Sequence, residues 1–191
     1  LDIVPAFSMT AGRLLSSGGS LIFRNTAEAD ISADDLDISG TTVELYGDLT
    51  LSVTDLTVDV QTDFNLNNSV TITSNQGLSF GDLTLNGNTL TLDNSLPSFV
   101  VNGTLVNGIG SSEGIVTQDV GFTYSSGLSI ADNGSFSSTG GTITLSDVTV
   151  DTGSFSSTAG TLNLGNVSAT SGGDFFITGT ALNLGGNIDT S

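Results

Sequence analysis

The final part of the sequence repeats one pattern three times, and this repeat limits the fold more than any other feature. The copies read GSFSSTGGTITLSDVTVDT, GSFSSTAGTLNLGNVSATS and GGDFFITGTALNLGGNIDT, within residues 134–190. The first two begin 19 residues apart, and the third carries one extra glycine at Gly172 or Gly173. Apolar and polar residues alternate in each copy, which predicts β-strands, because successive side chains of a strand point to opposite faces.

A copy of this length is too short to bury a hydrophobic face alone, so neighbouring copies must stack on one another. A fixed period near 20 residues without helical periodicity is typical of a β-solenoid. From residue 31 onward, apolar–polar–apolar triplets recur at similar spacings: Leu45 to Leu66 is 21 residues, and Leu66 to Leu85 is 19. Three short strands per coil account for these spacings. We therefore predict an all-β parallel β-helix of about nine triangular coils, each of roughly 19–22 residues.

We predict a single solenoid domain over residues 1–191. The regularity of the strand spacing divides it into four parts. Residues 1–30 are irregular and are expected to form a cap or docking segment, with a degenerate first coil as the alternative. Residues 31–92 and 127–191 are predicted to be regular coils. Residues 93–126 contain several turn signals and are predicted to be an irregular coil with a loop excursion.

Some polar residues recur at particular positions of the repeat, either at the predicted corners or on the strands. Tight or left-handed turns suit the Gly-Asp, Asn-Gly and Gly-Asn steps at 81–82, 133–134 and 165–166. Asn163 and Asn183 occupy equivalent positions in successive copies, which predicts an amide ladder between them. An ordinary exposed asparagine is the alternative at each of these two positions.

The charge balance excludes several classes of function. Arg13 and Arg24 are the only basic residues against 20 acidic ones, which gives a net charge of −18. Nucleic acid and anionic membrane are therefore not expected as partners. The sequence contains no His and no Cys, so Ser-His-Asp and Cys-His catalysts and the usual zinc sites are excluded. Pairs of carboxylates are expected by chance among 20 acidic residues, and we predict that the protein is not an enzyme.

Two sets of residues are candidates for binding. Carboxylates are ligands that Ca²⁺ prefers, and solvated surface charge is the alternative use. The possible Ca²⁺ ligands are Asp34, Asp35, Asp37, Asp55, Asp59 and Asp63. An apolar run at the irregular end, and the last copy of the repeat at an open C-terminal edge, are the candidate assembly surfaces. Their residues are Leu21, Ile22, Phe23, Leu182, Leu184 and Ile188.

Short sequence motifs across the chain also resemble those of a known group of proteins. GDLTL at 47–51 and 81–85, GTLNL at 160–164 and TALNL at 180–184 are similar to the haemagglutinin-type repeats of large secreted bacterial adhesins. The passenger domains of autotransporters share this likeness. The resemblance implies a right-handed parallel β-helix that is exported to the cell surface.

Together these observations lead to three hypotheses about function. The first is a non-enzymatic, secreted, extracellular structural element, a stalk or fibre segment of an adhesin-like cell-surface protein. The second is a self-assembling filament subunit that stacks end to end through open β-helix ends. The third is a β-helix that binds surface glycans. Expected partners are accordingly further copies, a continuation of a longer chain, or glycans.

Overall fold

The protein is a stack of short parallel strands. The computed structural model describes residues 2–3, 8–9, 12–24, 29–158, 160–179 and 181–190, and it contains no helix in these ranges, hence none that could span a membrane. The strands are β1 (Asp2–Ile3), β2 (Ser8–Met9), β3 (Arg13–Phe23), β4 (Ala29–Ile31), β5 (Asp35–Leu45), β6 (Leu49–Leu51), β7 (Asp55–Val58), β8 (Asp63–Leu66), β9 (Val70–Ser74), β10 (Leu78–Phe80), β11 (Leu83–Thr84), β12 (Thr89–Leu92), β13 (Ser98–Val101), β14 (Gly114–Gln118), β15 (Gly121–Tyr124), β16 (Leu128–Ala131), β17 (Ser135–Thr139), β18 (Thr142–Leu145), β19 (Val148–Asp151), β20 (Ser154–Thr158), β21 (Thr161–Leu164), β22 (Val167–Thr170), β23 (Asp174–Ile177), β24 (Ala181–Leu184) and β25 (Ile188–Asp189).

These strands form four sheets, and every pair of named strands within them is parallel. Sheet 1 has the order β2-β4-β6-β9-β12-β14-β17-β20-β23 and runs along the whole stack. Sheet 2 is β10-β13-β15-β18-β21-β24, and sheet 3 is β16-β19-β22-β25. Sheet 4 is β1-β3-β5-β8-β11, with β7 also paired to β5. The nine strands of sheet 1 are separated by eight turns, which confirms the predicted β-solenoid and its approximate size.

In the C-terminal half each coil is made of three separate strands, one from each of sheets 1, 2 and 3. The order β17, β18, β19 is repeated by β20, β21, β22 and then by β23, β24, β25. Equivalent residues pair across coils, for example Ser135 with Ser154 and Thr142 with Thr161. The three-strand coil predicted from the repeat is therefore correct, and the pairing register follows the repeat.

The N-terminal coils are built differently, because β3 and β5 each extend over 11 residues. The first part of β5 pairs with β7, whereas its second part, from Thr42 onward, pairs with β8. One strand thus covers two sides of the coil. Between the two parts lies Gly40 with φ of 56°, and β3 has Gly18 and Gly19 at φ of 86° and 83°. Glycine adopts this backbone conformation without the steric cost that a Cβ brings, which lets a single strand turn the corner.

The core contains a continuous column of phenylalanine rings. Adjacent ring centroids lie 4.5 to 6.0 Å apart. The members in order are Phe64, Phe80, Phe99, Phe122, Phe136, Phe155 and Phe175. Phe64 belongs to sheet 4, the next three to sheet 2 and the last three to sheet 1, so the column crosses the core as it rises. Rings at these separations stabilise one another beyond the area that they bury.

The segment between β13 and β14 contains no named strand, yet two of its apolar residues remain in the core. Leu105 forms a parallel bridge with Leu83, and Ile109 forms one with Ile130. Leu105 and Ile109 are 7% and 1% exposed. The buried hydroxyl of Tyr124 accepts the Leu105 N–H at 2.9 Å, which gives this backbone donor a partner.

The ring column generates the first prediction. Phe136→Ala removes a buried ring from the middle of the column, and we expect it to lower the free energy of unfolding by about 3–5 kcal/mol. Phe176→Ala is the matched control, because this ring is 58% exposed. Chemical denaturation of the two variants measures the difference. Equal loss of stability in both would contradict the role of the column.

Candidate interaction surfaces

Two of the candidate calcium ligands near the N-terminal end form ion pairs with an arginine. Arg13 Nε lies 2.9 Å from Asp35 Oδ2, and Arg13 Nη2 lies 3.3 Å from Asp37 Oδ2. Asp55 follows on the neighbouring strand, paired with Asp35. Arg13 thus places positive charge between two of the candidate carboxylates. Because the group is partly exposed, these ion pairs add little stability.

The other three candidate carboxylates accept hydrogen bonds from backbone N–H groups. Asp34 Oδ2 accepts from Gly12 at 3.3 Å, Asp59 Oδ1 from Gln61 at 3.0 Å and Asp63 Oδ1 from Asp82 at 2.9 Å. Within the described ranges, no group of three or more His, Cys, Asp or Glu residues is placed to hold a metal ion. Calcium binding at these six aspartates stays a prediction.

Several other aspartates link successive coils at the corners, a role that the sequence analysis missed. In each case a carboxylate oxygen accepts the backbone N–H of a residue one coil further along the chain, at 2.6 to 2.8 Å. The pairs are Asp48 with Thr71, Asp82 with Thr104, Asp119 with Gly141, and Asp147 with Asn166. The available signal was an aspartate one or two positions before a strand, as at Asp48, Asp82, Asp119 and Asp147. These four aspartates at the corners therefore help to hold successive coils together.

Side-chain amides form two further connections between coils near the C-terminal end. Asn183 Nδ2 donates to Asn163 Oδ1 at 2.8 Å, and Asn163 Nδ2 donates to Thr144 Oγ1 at 3.1 Å. This confirms the predicted amide ladder. At the adjacent corner, Asn166 Oδ1 accepts the backbone N–H of Asn187 at 3.0 Å. Both connections follow from the repeat, because the same position of every copy lies directly above its equivalent.

The candidate assembly residues lie in two different environments. Leu21 and Phe23 are buried in the core, and Ile22 between them pairs with Asp2 of β1. At the other end of the stack, the three remaining candidates are exposed: Leu182 by 46%, Leu184 by 39% and Ile188 by 52%. β24 and β25 each pair with a neighbour on one side only. Leu182, Leu184 and Ile188 lie on the last coil that the structure describes, each paired with a buried residue of the preceding coil, and we call them the apolar end surface.

Two sides of the stack are free of charge over several coils. The outward residues of β12, β14, β17 and β20 in sheet 1, and of β13, β15, β18 and β21 in sheet 2, are mostly Ser and Thr. None of these eight strands contains an Asp, Glu, Lys or Arg. We call their outward sides the neutral surface. No pocket opens on the described part of the chain, so any ligand there would lie on a flat face.

Comparisons with known protein families, with characterised proteins and with solved structures gave no match to this chain. The class of protein is therefore defined by the fold, and that class is the parallel β-solenoid.

The corner carboxylates generate the second prediction. Asp147 Oδ1 accepts both the backbone N–H and the side-chain amide of Asn166, at 2.8 and 3.0 Å. Asp147→Ala leaves these donors without that partner, and we expect the free energy of unfolding to fall by about 1 kcal/mol. Asp174→Ala is the control, because it removes one negative charge from an exposed strand position. If thermal or chemical denaturation shows the same change in both variants, the corner contact is not stabilising.

Proposed function

We propose that this chain is a non-enzymatic structural segment, a stalk or fibre element of an adhesin-like protein outside the cell. The observation that supports the proposal is the uninterrupted stack of sheet 1, whose nine strands follow one another in parallel along the molecule. At about 4.8 Å per turn, eight turns give a rod on the order of 40 Å long. A rod of this kind would keep the parts of the protein attached to its two ends at a fixed distance from each other.

The physical properties of the stack suit a protein that works in an exposed environment. Backbone N–H and C=O groups in the strands pair with the coils above and below, so a protease meets little free extended chain. Stability comes from stacking and the ring column, since the sequence has no Cys to form a disulfide. The net charge of −18 keeps separate rods from aggregating through their strand edges.

Limited proteolysis tests this proposal, because chymotrypsin cleaves after aromatic residues and leucines. Most of these side chains are buried, whereas Leu15, Phe176 and Leu182 are exposed near the two ends. We expect cleavage confined to the ends and an intact core that contains residues 29–158, identified by mass spectrometry. The urea-unfolded chain is the control and should be digested completely. Early cleavage of the folded protein at Phe99 or Phe136 would argue against a resistant stalk.

The second candidate function is a filament subunit, in which the apolar end surface would be the contact between copies. Exposed Leu182, Leu184 and Ile188 would be covered by a further coil, supplied by a second copy or by a continuing chain. Each of these alternatives buries the same side chains against a parallel coil. The oligomeric state of the chain in solution separates them.

Sedimentation and electron microscopy measure that state. If the chain is a filament subunit, it forms polymers with a repeat of one rod length, and Leu184→Ser shifts it to single rods. Leu15→Ser is the control, since Leu15 is 54% exposed but lies in β3 near the other end. Single rods of the unaltered chain at all concentrations would exclude the filament and leave the stalk.

A further inference from the structure

The neutral surface is unusual because the rest of the molecule is strongly acidic. The chain carries a net charge of −18, but none of that charge lies in the eight strands that form this surface. The corner carboxylates Asp119 and Asp147 lie outside these strands and accept inter-coil hydrogen bonds. A partner on the neutral surface therefore meets hydroxyl groups and encounters carboxylates only at the edges, among them Asp174, which shares the outward face of β23 with Phe176.

The outward hydroxyls of this surface form regular rows. Ser135 pairs with Ser154, Ser137 with Ser156 and Thr139 with Thr158 across the junction of β17 and β20. Neighbouring hydroxyls are about 4.8 Å apart across strands and about 6.6 Å apart along a strand, because every second residue points outward. The surface thus offers hydrogen-bond donors and acceptors at fixed spacings on a flat face.

An exposed aromatic ring ends one of these rows. Phe176 of β23 pairs with Ser156, which in turn pairs with Ser137, so all three side chains point outward from sheet 1. The ring is 58% exposed, whereas the rings of the core column are mostly buried. The ring is therefore accessible to a partner at the end of this row. An aromatic face next to hydroxyl groups is suited to sugar rings, which present C–H bonds and hydroxyls together.

We propose that the neutral surface of sheet 1, together with Phe176, binds an uncharged polysaccharide. Anionic polymers are repelled by the net charge of −18. A second copy of the chain is disfavoured by area, since the eight strands of the neutral surface, each about 13–16 Å long at 4.8 Å spacing, give about 600 Å² divided between two faces. A stable protein partner needs about 800 Å² on each side. A polysaccharide accumulates affinity through many repeated shallow contacts along its length.

This inference goes beyond the structural role, because a stalk needs no ligand of its own. The test is cosedimentation with insoluble cellulose and chitin, with the anionic polymer alginate as a comparison. We expect binding to at least one of the two neutral polymers and none to alginate. Phe176→Ser and Ser156→Asp should each weaken the binding about tenfold.

Ser168→Asp is the matched control, since it adds the same charge on sheet 3 of the same turn, away from the neutral surface. It should leave binding unchanged, and thermal denaturation checks that all variants are folded. Failure to bind either neutral polymer, equal loss with Ser168→Asp, or equal binding to alginate would overturn the proposal. Shaping of ice crystals without polysaccharide binding would assign the hydroxyl rows to ice instead. The proteolysis result is independent of all these outcomes, so the proposed structural role does not depend on polysaccharide binding.

Discussion

Parallel backbone pairing between coils is the constraint on which the rest of this structure depends. Each strand must place its N–H and C=O groups opposite those of the coils on either side, so equivalent residues lie directly above one another. Any side chain that suits one coil is then placed next to its own equivalent. Ring stacking, the amide ladder and the corner carboxylates all use this arrangement.

The same constraint limits which residues fit the corners. Gly165 lies so close to the Ser146 carbonyl that a Cβ would overlap it, and Gly141 is placed in the same way against Val120. The close approach of successive turns requires glycine there. Where the chain turns within one long strand instead, Gly40 supplies the left-handed backbone. Glycine is therefore required for two reasons, the close approach of successive coils at some corners and a left-handed backbone at others.

The repeat predicted the regular part of the fold well, because alternation and period are local properties that the sequence displays directly. The strands of residues 127–191 and the contact between Asn163 and Asn183 are examples. The bent strands β3 and β5 were not predicted, since their residues also fit separate short strands. The partners of Asp82 and Asp147 were missed for another reason. Each lies about one coil away, and only the register of the folded stack brings the two groups together.

The path of the ring column has a consequence for how such a molecule changes in length. Phe64, Phe99 and Phe155 belong to three different sheets. Nevertheless, the centroids of adjacent rings in the column are never more than 6.0 Å apart. Each coil must place a side chain of suitable size next to the ring of the coil before it. That side chain need not come from the equivalent strand. A coil added to the stack or removed from it would therefore only have to leave the neighbouring rings in contact, from whichever strand they come, so the column does not fix the number of coils.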